Sequence, residues 1–138
     1  IVCDVRTSGR VIRDPGGAER RVPGTLRATK AIGWYIPEYG RAQVSMNLTA
    51  LAVTPVHTAF EAVRQAAAKR GVRVTGSELI GLLPLRSLLD AGRHFAGPAE
   101  AGASEDRLLE IAVRGLGLDE LGPFDPKTRV IEHLLGAT

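Results

Sequence analysis

The sequence predicts an α+β fold, a mainly antiparallel sheet with helices on one face. Three observations carry this. Residues 30–49 hold two alternating apolar and polar runs joined by a short turn. A strongly helical segment follows at 54–71, and the remainder reads as one more strand and then helices.

The first strand of the pair lies in "KAIGWYIPEYG", where Ile32, Trp34 and Ile36 alternate with Ala31, Gly33 and Tyr35. The second is "GRAQVSMNLT": Ala42, Val44, Met46 and Leu48 fall on one side, Gln43, Ser45, Asn47 and Thr49 on the other. "EYGR" between them reads as a hairpin link with Gly40 in the left-handed region. Matching apolar to apolar sets Ile36 beside Val44, Trp34 beside Met46 and Ile32 beside Leu48. Gly33 then faces Asn47, and Tyr35 faces Ser45.

The polar side is unusual for a solvated face, because it holds four uncharged hydrogen-bonding groups and no Lys, Glu or Arg. With Gly33 and Ala31 leaving space and Tyr35 offering a ring, it reads as a floor for a polar, planar ligand. The alternative is that another helix or domain covers it.

The remaining elements follow from caps and periodicity. In "TPVHTAFEAVRQAAAKRG", Thr54 serves as a cap and Pro55 suits the first turn. Lys69, Arg70 and Gly71 mark the end, and Val56, Phe60, Val63 and Ala67 form an apolar stripe. "VRVTGSELIGLLP" reads as a third strand with bends at Gly76 and Gly81. Its alternation puts Glu78 with Val74, Gly76 and Ile80 on the apolar side, where a carboxylate needs partners or a ligand. "PLRSLLDAG" is a short helix, "GPAEAGAS" a linker, and Ser104 caps "EDRLLEIAVRGLG". Asp125 caps a last helix, with Pro126 in its first turn and Val130, Ile131, Leu134 and Leu135 inward. Residues 1–9 read as the end of a preceding helix, with Gly9 as its stop, and residues 14–24 as a loop rich in Pro and Gly.

Bulk properties bound the function. A chain of 138 residues is one compact domain, with 44% hydrophobic and 24% charged residues. It opens without Met and ends soon after a helix, so it reads as a piece of a longer protein. No apolar run reaches the roughly 20 residues of a membrane span, and no signal peptide is visible. The single cysteine, Cys3, excludes an internal disulfide framework and points to a reducing compartment, the cytoplasm.

The net charge is +3. Arg10, Arg13, Arg20, Arg21, Arg27 and Lys30 crowd the first part, against Asp4, Asp14 and Glu19. This patch reads either as solvated loop charge or as a surface for a small polyanion. Nucleic acid is disfavoured, since stacking aromatics are scarce. His57, His94 and His133 fall in separate helices without metal-ligand spacing, and no metal is expected. No nucleophile-elbow motif occurs, and "GLGLDELG" lacks nucleotide-loop spacing and reads as a helix stop.

"AIGWY", "AQVSMNLT" and "TGSELIGLLPLRSLLDAG", with "TPVHTAFEAV" and "LGPFDPKTRVIEHLL", together resemble the glutamate formimidoyltransferases. That family includes the transferase part of formiminotransferase-cyclodeaminase, and the resemblance covers nearly the whole chain. It implies transfer of a formimidoyl group from N-formimidoyl-L-glutamate to N5 of tetrahydrofolate, a co-substrate, in histidine degradation. It implies ferredoxin-like subdomains enclosing a folate groove, with this chain as the C-terminal one, partnered by the N-terminal subdomain and by a second copy in a homodimer.

The family's acid–base histidine belongs to the other subdomain, and none of His57, His94 or His133 sits in a matching motif. No catalytic residue is therefore expected here. Under the resemblance, Gln43, Ser45, Asn47 and Thr49, with Gly33, Tyr35 and Glu78, form groove wall, while Arg27 and Lys30 attract glutamate carboxylates. The alternative is a non-catalytic folate-binding or dimerisation module on a ferredoxin-like scaffold.

Overall fold

The structure, a computed structural model, describes residues 1–136 and divides into two compact units, Ile1–Val74 and Thr75–Thr138. The class is α+β, with small antiparallel sheets and helices, compatible with a ferredoxin-like sandwich.

In the first unit, a short helix α1 (Val2–Val5) precedes the hairpin of β1 (Arg10–Arg13) and β2 (Glu19–Val22). The expected loop at 14–24 is therefore partly strand. Its turn closes by Gly17 N–H donating to the Asp14 carbonyl at 2.8 Å, which brings Arg13 opposite Glu19. The glycines and proline supply this turn and the exit after Val22. Arg–Glu and Arg–Asp pairs hold the exposed strands, and charge density concealed their alternation.

The main hairpin joins β3 (Thr29–Ile36) to β4 (Arg41–Leu48). Gly40 has φ +62°, the left-handed conformation expected of it. The register differs from the sequence expectation. Ile36 lies opposite Arg41, Trp34 opposite Gln43, Ile32 opposite Ser45, and Lys30 opposite Asn47. The cause is the tight turn over Pro37–Gly40, closed by Tyr39 N–H to Ile36 carbonyl and Gly40 N–H to Pro37 carbonyl. Pairing Ile36 with Val44 would have left residues 37–43 out of the ladder. A shift by an odd number of residues exchanges the faces of one strand relative to the other.

Thr29, Ala31 and Gly33 consequently share the core face with Val44, Met46 and Leu48. Those three β4 side chains pack on Val5, Leu26, Ala59, Val63 and Ala66, from α1, the connecting loop and α2 (Val56–Ala68). Small residues on β3 admit α1: a Cβ at Gly33 would stand 3.1 Å from Val2 Cγ2.

Where β3 begins, the backbone is kinked at Ala28, with φ +49°. Hydroxyls surround the kink. Those of Thr29 and Thr54 both donate to the Arg27 carbonyl, and that of Thr7 to the Leu26 carbonyl. Thr49 gives both its N–H and its hydroxyl to the Ala28 carbonyl, at 2.9 and 3.0 Å. Thr29 and Thr54 are only 2% and 3% exposed. Thr54 thus ties α2 to this loop and makes no cap bond, and Pro55 occupies the position before the first helical residue.

In the second unit, α3 (Leu85–Phe95) packs on α4 (Glu105–Leu116), with Leu88, Ala91, Leu109 and Ala112 between them. The approach is close at Gly92, where a Cβ would fall 2.3 Å from the Leu108 carbonyl oxygen. Ser104 caps α4 by accepting from Arg107 N–H, and Gly117 ends it at φ +62°, so "GLG" is a helix stop.

The expected third strand is not a strand. Among the described residues, the ladder contact of 72–84 is a parallel bridge of Leu83 to Val130, and the Arg129 guanidinium donates to the carbonyls of Leu79 and Gly81. Glu78 is exposed rather than set among apolar side chains. The same bridge breaks the last helix. Val130 is extended and fully buried, splitting the segment into α5 (Pro126–Arg129) and α6 (Ile131–Leu134). Asp125 caps α5 as expected. Val130 points inward, whereas Leu134 and Leu135 are 51% and 77% exposed.

Thr54→Val keeps shape and removes one hydroxyl bond at the kink. It is expected to cost about 1–2 kcal/mol, read as a lower urea midpoint with unchanged slope. An unchanged midpoint would show that the hydroxyl does not secure the loop.

Candidate functional site

The face of β3–β4 turned away from the helices is built from alternate residues of both strands. Lys30, Ile32, Trp34 and Ile36 come from β3, and Arg41, Gln43, Ser45 and Asn47 from β4. Ile32 is 64% exposed and Trp34 56%. The indole N–H of Trp34 donates to Gln43 Oε1 at 2.9 Å, fixing the ring across the strand pair. The Ser45 hydroxyl and the Asn47 carboxamide have no hydrogen-bond partner among the described residues. The arrangement is an indole between two isoleucines, flanked by uncharged donors and acceptors, with a cation at each end.

The sequence-predicted residues divide accordingly. Gln43, Ser45, Asn47 and Lys30 are brought together on this face. Thr49 follows β4, but its hydroxyl is committed to the Ala28 carbonyl. Gly33 and Tyr35 lie on the other face, opposite Val44 and Ala42, and are not beside the polar row. The Arg27 side chain is exposed in the loop before β3, and Glu78 belongs to the second unit. Sequence reasoning missed Ile32 and Trp34 as site residues, because large apolar residues were assigned to the core. "IPEYG", read as a four-residue turn, was the signal that places them outside.

The histidines occupy separate places. His57 is in the first turn of α2, exposed His94 meets Phe95 edge-on at 4.9 Å, and His133 Nδ1 lies 3.3 Å from the Pro126 carbonyl. Among the described residues no group of three His, Cys, Asp or Glu can hold a metal ion. No helix there is long and apolar enough to cross a membrane.

The chain matches the formiminotransferase domain over residues 1–136. It belongs to that family. It is 42% identical over 120 residues to formimidoyltransferase-cyclodeaminase of Mus musculus, which is 86% of this chain and 22% of that protein. To the Sus scrofa formimidoyltransferase-cyclodeaminase it is 40% identical over 136 residues, 98% of this chain and 24% of the other. Glutamate formimidoyltransferase of Thermoplasma acidophilum is 36% identical over 78 residues, 56% of this chain and 26% of that one. The chain therefore spans about a quarter of the length of these relatives. Within this formiminotransferase domain, the β3–β4 face lies wholly in the part that the Sus scrofa match covers almost end to end.

An open depression of about 410 Å³ lies beside the β1–β2 hairpin, lined by Cys3, Asp4, Arg10, Ile12, Val22, Pro23 and Arg70. Asp4 bridges two guanidinium groups there, Arg70 at 2.6 Å and Arg10 at 3.1 Å. The hydrogen bond from Arg70, and then the charges of Arg70 and Arg10, hold its carboxyl below the usual carboxylate range. The bridge fastens α1 to β1 and to the residues just after α2.

A lowered folded-state value means that Asp4 stabilises the fold when ionised and loses that contribution as pH falls through its own titration. Asp4→Asn is expected to be less stable than the parent at neutral pH. The gap should close as pH falls below about 4, where carboxylates protonate. Urea midpoints of both proteins measured across acidic pH check this, and a gap independent of pH contradicts it.

Proposed function

We propose that this chain is the C-terminal subdomain of a glutamate formimidoyltransferase. The β3–β4 face then forms one wall of the groove that holds tetrahydrofolate and N-formimidoyl-L-glutamate. The supporting observation is the composition of that face. Its uncharged groups, Gln43, Ser45 and Asn47, suit the donor- and acceptor-rich edge of a pterin without the cost of desolvating a charge. Trp34 beside them offers a flat apolar surface. The reduced folate supplies the nitrogen nucleophile that accepts the one-carbon group.

The role of this chain is to bind and orient. Transfer between two small molecules needs both held in reacting geometry, and a wall facing a second wall supplies that. Departure of the glutamate nitrogen requires a proton donor. His57, His94 and His133 are assigned no part in this, and the acid–base histidine is placed on the N-terminal subdomain. Lys30 and Arg27 provide positive charge for the carboxylates of either substrate. The parent protein acts in histidine degradation in the cytoplasm, as a homodimer.

Calorimetric titration of the chain with folinic acid, a stable reduced folate, tests the reading. Binding is expected, and Asn47→Leu is expected to weaken it about tenfold, the loss of one to two hydrogen bonds from an uncharged group. Heat that is unchanged by the variant would remove the polar row from the site.

A further inference from the structure

We infer that the open edge of β4 pairs with the same edge of a second copy of this chain, antiparallel and centred on Ser45. The inference deepens the homodimer reading, on which it rests, by naming where the copies meet. The strand's own pattern selects the partner.

The backbone supplies the first argument. Thr49 N–H donates to the Ala28 carbonyl, one step beyond the register of the β3–β4 ladder. Hydrogen-bonded and open pairs alternate in an antiparallel ladder, so Lys30–Asn47, Ile32–Ser45 and Trp34–Gln43 bond across it. Ala42, Val44, Met46 and Leu48 then turn their N–H and C=O groups to the outer edge of β4. None of those groups has a partner among the described residues. The edge of β3 differs, because Thr7 closes its start. The Thr7 hydroxyl accepts from Thr29 N–H, and Thr7 N–H donates to the Thr29 carbonyl. β4 also lacks the usual guards of an exposed edge. Residues 42–48 hold no charge and no proline, and the register runs without a bulge.

Side chains supply the second argument. Opposed residues of an antiparallel pair point to the same face, so self-pairing preserves both faces only when the paired numbers share parity. Centring on Ser45 does this over the whole strand. Ala42 meets Leu48 and Val44 meets Met46 on the core side, while Gln43 meets Asn47 and Ser45 meets Ser45 on the other. Every outward-turned residue is then engaged, in about eight backbone bonds at two per narrow pair. Arg41 falls opposite Thr49, so no like charges oppose each other. Val44, Met46 and Leu48 are only partly buried by their own unit, and the second copy extends their apolar row. The contact is two-fold and uses each β4 edge once, so it closes at a dimer.

Sedimentation velocity of the 138-residue chain over a dilution series, beside Ser45→Lys and Ser45→Glu, tests this. Ser45 lies at the two-fold axis, so each variant sets like charges directly against each other. The parent is expected to be dimeric. Each variant is expected to self-associate about tenfold more weakly or worse, and their equimolar mixture to be dimeric again. Far-ultraviolet circular dichroism checks that both variants are folded. Amide hydrogen exchange gives a second readout. Val44 and Met46 are expected to gain protection as concentration rises, while Gln43 and Ser45, bonded within the hairpin, keep theirs throughout. A dimer that both variants leave intact overturns this interface and leaves the homodimer reading standing. A chain that stays monomeric across the series overturns both. Open-ended assembly, or a mixture that associates no better than its components, also overturns the pairing.

Discussion

The kink at Ala28, clamped by threonine hydroxyls, is the constraint on which the rest of the first unit depends. A residue with a Cβ in the left-handed region costs roughly 1–2 kcal/mol, and something must hold it there. Here the carbonyls of Arg27 and Ala28 each receive two donors, from Thr29 and Thr54 and from the two groups of Thr49. The clamp delivers the chain into β3 with Thr29 buried. Side chains alternate along a strand, so one buried residue at its start sets the parity of all that follow. Lys30, Ile32 and Trp34 must then face outward. The turn at Pro37–Gly40 carries that parity into β4, where Gln43, Ser45 and Asn47 emerge beside them.

This explains which parts were legible in the sequence. The strict alternation of β4 and the polar character of one side were read correctly, because that pattern depends only on period. The partner of that side was not, because parity in β3 is settled by Thr29 and α1, neither of which shows in the spacing of Ile32, Trp34 and Ile36. The hydroxyl clamp is equally silent, since it gathers Thr7, Thr29, Thr49 and Thr54 from distant positions. Caps are local and were readable, as Ser104 and Asp125 illustrate. By contrast, the break at Val130 follows from a bridge to Leu83, and the N-terminus of α3 is closed by Glu132 accepting from Leu85 N–H. Both are contacts between residues some 47 positions apart.

Membership in the formiminotransferase family and the composition of the outer face bear on function from different directions. Family membership sets the chemistry in which a relative of this kind takes part. The outer face of β3–β4 presents an exposed indole, neutral hydrogen-bonding groups and a cation, and the proposal gives it a share in that chemistry. On the proposed reading its part is to bind and orient. The Asp4 bridge serves a separate purpose, fastening α1 against the sheet so that Val2 rests over Gly33 and the core face stays closed.

The most direct measurement is a side-chain nuclear magnetic resonance titration with folinic acid, following the Trp34 indole N–H, the Asn47 carboxamide and the Met46 methyl together. The account predicts that the Trp34 and Asn47 signals move in concert while Met46, on the core face, stays in place. Movement of Met46 without Trp34 would contradict it, and would mean that the ligand-facing and core-facing sides of the hairpin are the reverse of those described.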